Sequence, residues 1–175
     1  DFLNSYFSFR DYIKTENAEG ILLPYNDGRT AFLAIRPTDG STIREFAASL
    51  TEEGLYDYIA AAEGTQINFS MPKFEVEYET ELNDYLAGMG LVSAVDALMG
   101  ESKNGNIFLS KVKQRVKIIV DEEGTEAAAA TQIEANDSAA LEEPRELILD
   151  SPFVYAVIDL DTSIPLFMGI LSTPQ

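Results

Sequence analysis

Four carboxylates at alternate positions, Glu75, Glu77, Glu79 and Glu81, form the first group whose types and spacing invite chemistry. On a strand, alternate side chains share a face at intervals of about 7 Å, too wide for one cation. The run therefore reads as a solvated sheet face or sheet edge. Lys111, Lys113, Arg115 and Lys117 are the only basic cluster and again share one strand face. They read as the face that answers the acidic strand in preference to a ligand patch. Gly88-Met89-Gly90 has the spacing of part of a nucleotide loop, but it closes a helical pattern and no phosphate-binding context follows. The chain has no His and no Cys, which excludes Ser-His-Asp catalysis, thiolate chemistry, a disulfide framework and the commonest metal ligand. No enzymatic activity, metal or cofactor is expected.

Chemistry done to the chain is another matter. Val116-Lys117-Ile118-Ile119-Val120 reads as a strand, and Asp121-Glu122-Glu123-Gly124-Thr125-Glu126-Ala127-Ala128-Ala129-Ala130-Thr131-Gln132-Ile133 follows it. By propensity, 122–135 is a surface helix, because Ala and Glu are good helix formers. By alternation it is a strand: Thr125, Ala127, Ala129, Thr131, Ile133 and Ala135 share one small, mostly apolar face, and the other face carries Glu126 and Glu134. Such a strand fits between two existing strands over a packed core without burying a carboxylate. Gly124 stands where the chain would turn into that slot. The whole of 121–146 reads as a long acidic loop, and exposed loops are where proteases cut.

Glu122-Glu123-Gly124-Thr125-Glu126-Ala127-Ala128-Ala129-Ala130-Thr131 resembles the reactive-loop hinge of the serpins, E-x-G-T-E-A-A-A-A-T. Three further stretches resemble the family in the same order and at similar spacing. Met71-Pro72-Lys73-Phe74 is similar to its L-P-K-F segment, Leu147 to Tyr155 to the signature around a Pro-Phe pair, and Pro165-Leu166-Phe167-Met168-Gly169 to its final strand. The resemblance covers essentially the whole chain but only about the C-terminal half of a serpin. It implies an α+β fold of mainly antiparallel sheets, a few short helices and a reactive-centre loop at about 121–146. It also implies that residues 1–175 are the C-terminal portion of one domain, with the N-terminal half supplied elsewhere or lost by truncation.

The function implied is inhibition of a serine protease by suicide cleavage. The protease attacks the loop, the freed hinge inserts as a new strand in the main sheet, and the attached enzyme is dragged away. Insertion of about a dozen residues forms a similar number of hydrogen bonds at about 0.5–1.5 kcal/mol each, some 10 kcal/mol in all. The small face from Thr125 onward suits that entry. Counting sixteen positions from Glu122 reaches Ser138 as the residue before the scissile bond, with Ala139, Ala140 and Leu141 as further candidates. These small or aliphatic side chains suit an elastase-like or subtilisin-like target; Arg145 lies too far downstream for a trypsin-like one. The resemblance further implies that Lys73 and Glu122 pair where the loop first enters the sheet. A non-inhibitory hormone carrier or chaperone is the alternative. An uncovered sheet edge invites loop–sheet oligomers, and a secreted or cell-surface, bacterial setting is expected.

The elements that must position this loop are also legible. Tyr6 to Phe9, Ile21 to Tyr25 and Thr30 to Ile35 read as strands, the last two joined at Asn26-Asp27-Gly28-Arg29, a hairpin signal. Ser41 to Leu50 carries capping residues and a helical stripe, Ile43, Phe46, Ala47 and Leu50. Thr51 caps a second helix bearing Leu55, Tyr58, Ile59 and Ala62, expected to end at Gly64. Gln66 to Met71 and Phe74 to Glu79 alternate as strands, the second with Phe74, Val76 and Tyr78 opposite its carboxylates. A helix over 81–90 should turn Leu82, Tyr85, Leu86 and Met89 inward, and Ile107 to Val120 is a long strand. Pro152 to Leu160 and Pro165 to Leu171 are so continuously apolar that both faces of each should be buried.

Hydrophobic content of 46% fits a globular domain, and a net charge of −18 argues against nucleic acid or an anionic membrane surface as partner. No apolar run is long enough to span a bilayer. The sequence starts without an initiator Met or a signal-like segment, so targeting information is expected on a missing N-terminal part.

Overall fold

The computed structural model describes residues 1–90, 112–121 and 143–174. Its elements in chain order are β1 (Phe2–Lys14), β2 (Ala18–Pro24), β3 (Thr30–Pro37), α1 (Ile43–Ser49), α2 (Glu52–Ala60), β4 (Ala62–Pro72), β5 (Phe74–Glu81), α3 (Asn83–Gly88), β6 (Lys113–Val120), β7 (Arg145–Ile148), β8 (Phe153–Asp159) and β9 (Ile164–Leu171). They form two compact units, one of 1–74 with 120–175 and one of 75–119.

The larger unit is built on a seven-stranded sheet in the order β7-β4-β1-β2-β3-β8-β9. Every pairing is antiparallel except β4 with β7. The expected hairpin joins β2 to β3. Asp27 accepts the N–H groups of Arg29 and Thr30 at 2.9 Å, and Gly28 takes φ +65°, which a residue without Cβ adopts freely. β1 runs far beyond the expected Tyr6–Phe9. It bulges between Ser5 and Ser8, with Phe7 at φ +50° and its N–H donating to Asn68 Oδ1 at 3.1 Å.

The central strands β2, β3 and β8 are apolar on both faces, as their unbroken Ile/Leu/Val/Ala runs require. One face carries Leu33, Ile35, Val154 and Ile158 in a core closed by Phe46 of α1 and Leu55 and Tyr58 of α2. Both helices start as their sequences dictate. Thr42 and Glu45 form a reciprocal capping box, and the Thr51 side chain accepts from the Gly54 N–H. On β8, Phe153 and Tyr155 meet the ring of Phe74 at 6.1 and 5.0 Å between centroids.

Three expectations are corrected. Gly64 does not end α2; the helix stops at Ala60, and Gly64 lies in β4 opposite Asp11. The cross-strand bonds to β1 extend the chain sooner than a lone glycine would. Of the four residues expected inward around α3, Leu82 and Leu86 are only partly buried and Tyr85 and Met89 are 64% and 75% exposed, because six residues give less than two turns and no full stripe. In β9 the buried faces are absent. Ile164, Leu166, Phe167 and Met168 are all exposed, since among the described residues little packs over this strand, which is last in the sheet.

The turn from β8 to β9 is organised by Asp159, a buried carboxylate. It accepts the N–H groups of Asp161 and Thr162 at 3.1 Å and the guanidinium of Arg29 at 2.9 Å, tying this turn to the β2–β3 hairpin. Burial pushes its carboxyl up, but the bonds from Thr162 and Arg29 outweigh this and hold it below its ordinary value. A folded value below the unfolded one means stability that is present above about pH 4 and lost as pH falls through the folded value. Asp159→Asn is therefore expected to lower the urea midpoint at about pH 6 and to do so by a smaller margin at about pH 3. A constant gap at both pH values would remove the charge from this account.

Candidate functional site

In chain order, the stretch that invites cleavage follows β6 and precedes β7. Glu122, Glu123, Gly124, Thr125, Glu126, Ala127, Ala128, Ala129, Ala130 and Thr131, and the scissile-bond candidates Ser138, Ala139, Ala140 and Leu141, lie outside the described residues. What the structure places are the two anchors.

The departing anchor is the smaller unit, in which β5 and β6 form a two-stranded sheet. Its outward face is a ladder of opposite charges. Lys117 meets Glu75 at 2.7 Å, Arg115 meets Glu77, and Lys113 meets Glu79 at 2.5 Å. As one strand advances the other retreats, so the pair is antiparallel. The expected answer of the basic strand to the acidic one holds at these three rungs; Lys111 lies outside the described residues. Each Glu and Lys is about half exposed, and such pairs fix register more than they stabilise. The hydrogen bonds from Lys113 to Glu79 and from Lys117 to Glu75 raise both ammonium groups above their ordinary values. Of the three residues expected opposite the carboxylates, Tyr78 is exposed, and Phe74 and Val76 are partly buried.

Lys73 joins β4 to β5, and its backbone N–H donates to the Asp1 carbonyl at 2.9 Å. Its expected partner Glu122 lies outside the described residues. β6 ends at Val120, which is buried at 6% exposure.

The returning anchor is β7, and sequence reasoning missed its pairing. Arg145, Glu146, Leu147 and Ile148 lie parallel to Ile67, Asn68, Phe69 and Ser70 of β4. Leu147 and the following Leu149 are fully buried, and the Leu149 N–H donates to the Ser70 carbonyl at 2.8 Å. The apolar run beginning at Leu147 was the only available signal; nothing local to it names β4 as partner. The two anchors thus belong to different sheets.

The chain matches the family model described as "Serpin (serine protease inhibitor)" over residues 3–174. It is 34% identical over 151 residues to Iripin-5 of Ixodes ricinus, covering 84% of this chain and 38% of that protein. It is 32% identical over 172 residues to the leukocyte elastase inhibitor of Xenopus laevis, covering 94% of this chain and 45% of the relative. Among solved structures it is similar to the thermophilic serpin Tengpin in its native state, with a TM-score of 0.76 at 32% identity, covering 98% of this chain and 46% of the other. The chain thus spans about two fifths of the length of the curated relatives it matches.

Proposed function

The chain belongs to the serpin family, and from that premise we propose that it is the C-terminal portion of a serine protease inhibitor whose bait is the segment at about 121–146. Both compact units are read as parts of one serpin domain, since the family match runs through them without a break. The observation that carries the proposal is the run from Gly124 to Thr131 between the two anchors. Its residues at 125, 127, 129 and 131 are Thr, Ala, Ala and Thr, small enough to enter a packed sheet without overpacking it. Glu126 falls on the opposite side. The paired lysine and glutamate at Lys73 and Glu122 would close the entry until cleavage, although a partly exposed pair is worth only about 0–1 kcal/mol.

The target is an elastase-like or subtilisin-like protease, because the candidates at 138–141 are Ser, Ala, Ala and Leu. Glu134, Asp137, Glu142 and Glu143 surround them and disfavour enzymes with acidic subsites. The location is extracellular or on the cell surface, where such proteases are met.

The test is incubation of the full-length protein with an elastase. The expected result is a covalent adduct that survives denaturant, with the peptide bond cut between Asp137 and Glu142 as read by mass spectrometry. Cleavage there without an adduct would instead support a non-inhibitory binding protein or chaperone. Dominant cleavage outside 134–146 would remove the loop assignment.

A further inference from the structure

One carboxylate ties down both ends of the segment through which the chain returns to the sheet. We propose that Glu19 is a positioning residue that clasps residues 145–151, acting through Arg36 at one end and Tyr12 at the other. β7 needs such a device. It has four residues and, among the described residues, pairs with β4 alone at the edge of the sheet, where strands open most readily.

The clasp is a closed circuit of side chains. Glu19 Oε1 accepts from Arg36 Nε at 3.0 Å and Nη2 at 2.7 Å. The remaining nitrogen, Arg36 Nη1, donates to Ser151 Oγ at 3.0 Å and lies 3.5 Å from the Asp150 carboxylate. Glu19 Oε2 accepts from the Tyr12 hydroxyl and from Lys14 Nζ, both at 3.2 Å. The Tyr12 ring in turn lies under Arg145, whose guanidinium carbon is 5.6 Å from the ring centroid. The path Arg145–Tyr12–Glu19–Arg36–Asp150 and Ser151 therefore begins and ends on the same short segment, and one residue of β2 stands at its middle.

Solvent screens the Glu19–Arg36 pair at the middle of this circuit less than the exposed ladder on β5 and β6. The Glu19 and Arg36 side chains are only 16% and 23% exposed, and the guanidinium grips its carboxylate through two nitrogens. Burial pushes the Glu19 carboxyl up, and the hydrogen bonds from Arg36 and Lys14 outweigh that and hold it below its ordinary value. It is therefore ionised at neutral pH and able to hold Arg36 and Tyr12 together. The clasp does not depend on what residues 122–142 do. If they are the bait, it sets how firmly their downstream end is held.

Hydrogen exchange followed by mass spectrometry on the full-length protein tests this. In Glu19→Gln the amides of residues 146–149 should exchange about tenfold faster, the loss of one charge-assisted contact. Exchange in residues 31–35 and 154–158 should stay unchanged. Tyr12→Phe, which loses only the hydroxyl contact, should give a smaller acceleration confined to the Arg145 end. Lys14→Met removes a Glu19 partner that does not touch the segment and should leave 146–149 as they were. Unchanged exchange at 146–149 in Glu19→Gln would overturn the clasp. So would equal acceleration throughout β3 and β8, or the same effect from Lys14→Met. None of these readouts requires a protease, so they stand or fall separately from adduct formation with elastase.

Discussion

Thr125→Arg is expected to turn the protein from an inhibitor of its protease into a substrate. Under the proposed mechanism Thr125 is the first side chain that must enter the main sheet after the hinge at Gly124. An arginine there would carry an unpaired charge into a packed interior, at a cost of several kcal/mol. Each 1.4 kcal/mol is a factor of about ten in partition, so stable adduct should fall by two orders of magnitude or more. The bond between Asp137 and Glu142 should still be cut at the parent rate, because the change lies well upstream of it. Thr125→Val, close in shape and uncharged, should retain most of the inhibition. The measurement is the ratio of adduct to cleaved protein after reaction with elastase. An unchanged ratio in Thr125→Arg would mean that insertion does not begin at this residue.

The largest effect on stability is expected from Phe153→Ala. Phe153 is fully buried and opens β8, where it pairs with Leu171 of β9 and packs edge-on against Phe74. Tyr155, two residues on, contacts the same Phe74 ring and lies over Gly169 so closely that a Cβ there would come within 3.0 Å of the Tyr155 ring. The three rings and the bare backbone of Gly169 form one packed group that cannot collapse far into a hole. Truncation should cost about 3–5 kcal/mol, read as a lower urea midpoint with an unchanged slope. Phe153→Leu, which keeps most of the volume, should cost less than half as much. A loss under about 1 kcal/mol for the alanine variant would show that Phe74 and Tyr155 close the gap.

Local chemistry was legible wherever the deciding partners are near in sequence. The Asp27-Gly28 turn, the Thr42–Glu45 capping box and the apolar runs of β2, β3 and β8 are set by neighbours, by dihedral preference and by hydrophobic content. The charge ladder was legible for a related reason: alternation assigns Glu75, Glu77 and Glu79 to one face whatever the partner, and only one strand has bases in the same alternation. The stretch proposed as the hinge, Gly124 to Thr131, offers a motif and a small face in sequence and lies outside the described residues.

The tertiary structure alone decided which apolar strand is covered and which carboxylates matter. β8 and β9 read alike in sequence, yet one lies within the sheet and the other at its edge, and position in a sheet is set by pairing that no single strand encodes. Arg29 finds Asp159, and Arg36, which faces Glu19 across the β2–β3 hairpin, finds Asp150 and Ser151, across chain separations over which charge pattern carries no address. The parallel seat of β7 on β4 is of the same kind. Where the chain after 142 is held depends on strands folded far from it, because long-range contacts form only once the sheet brings them together.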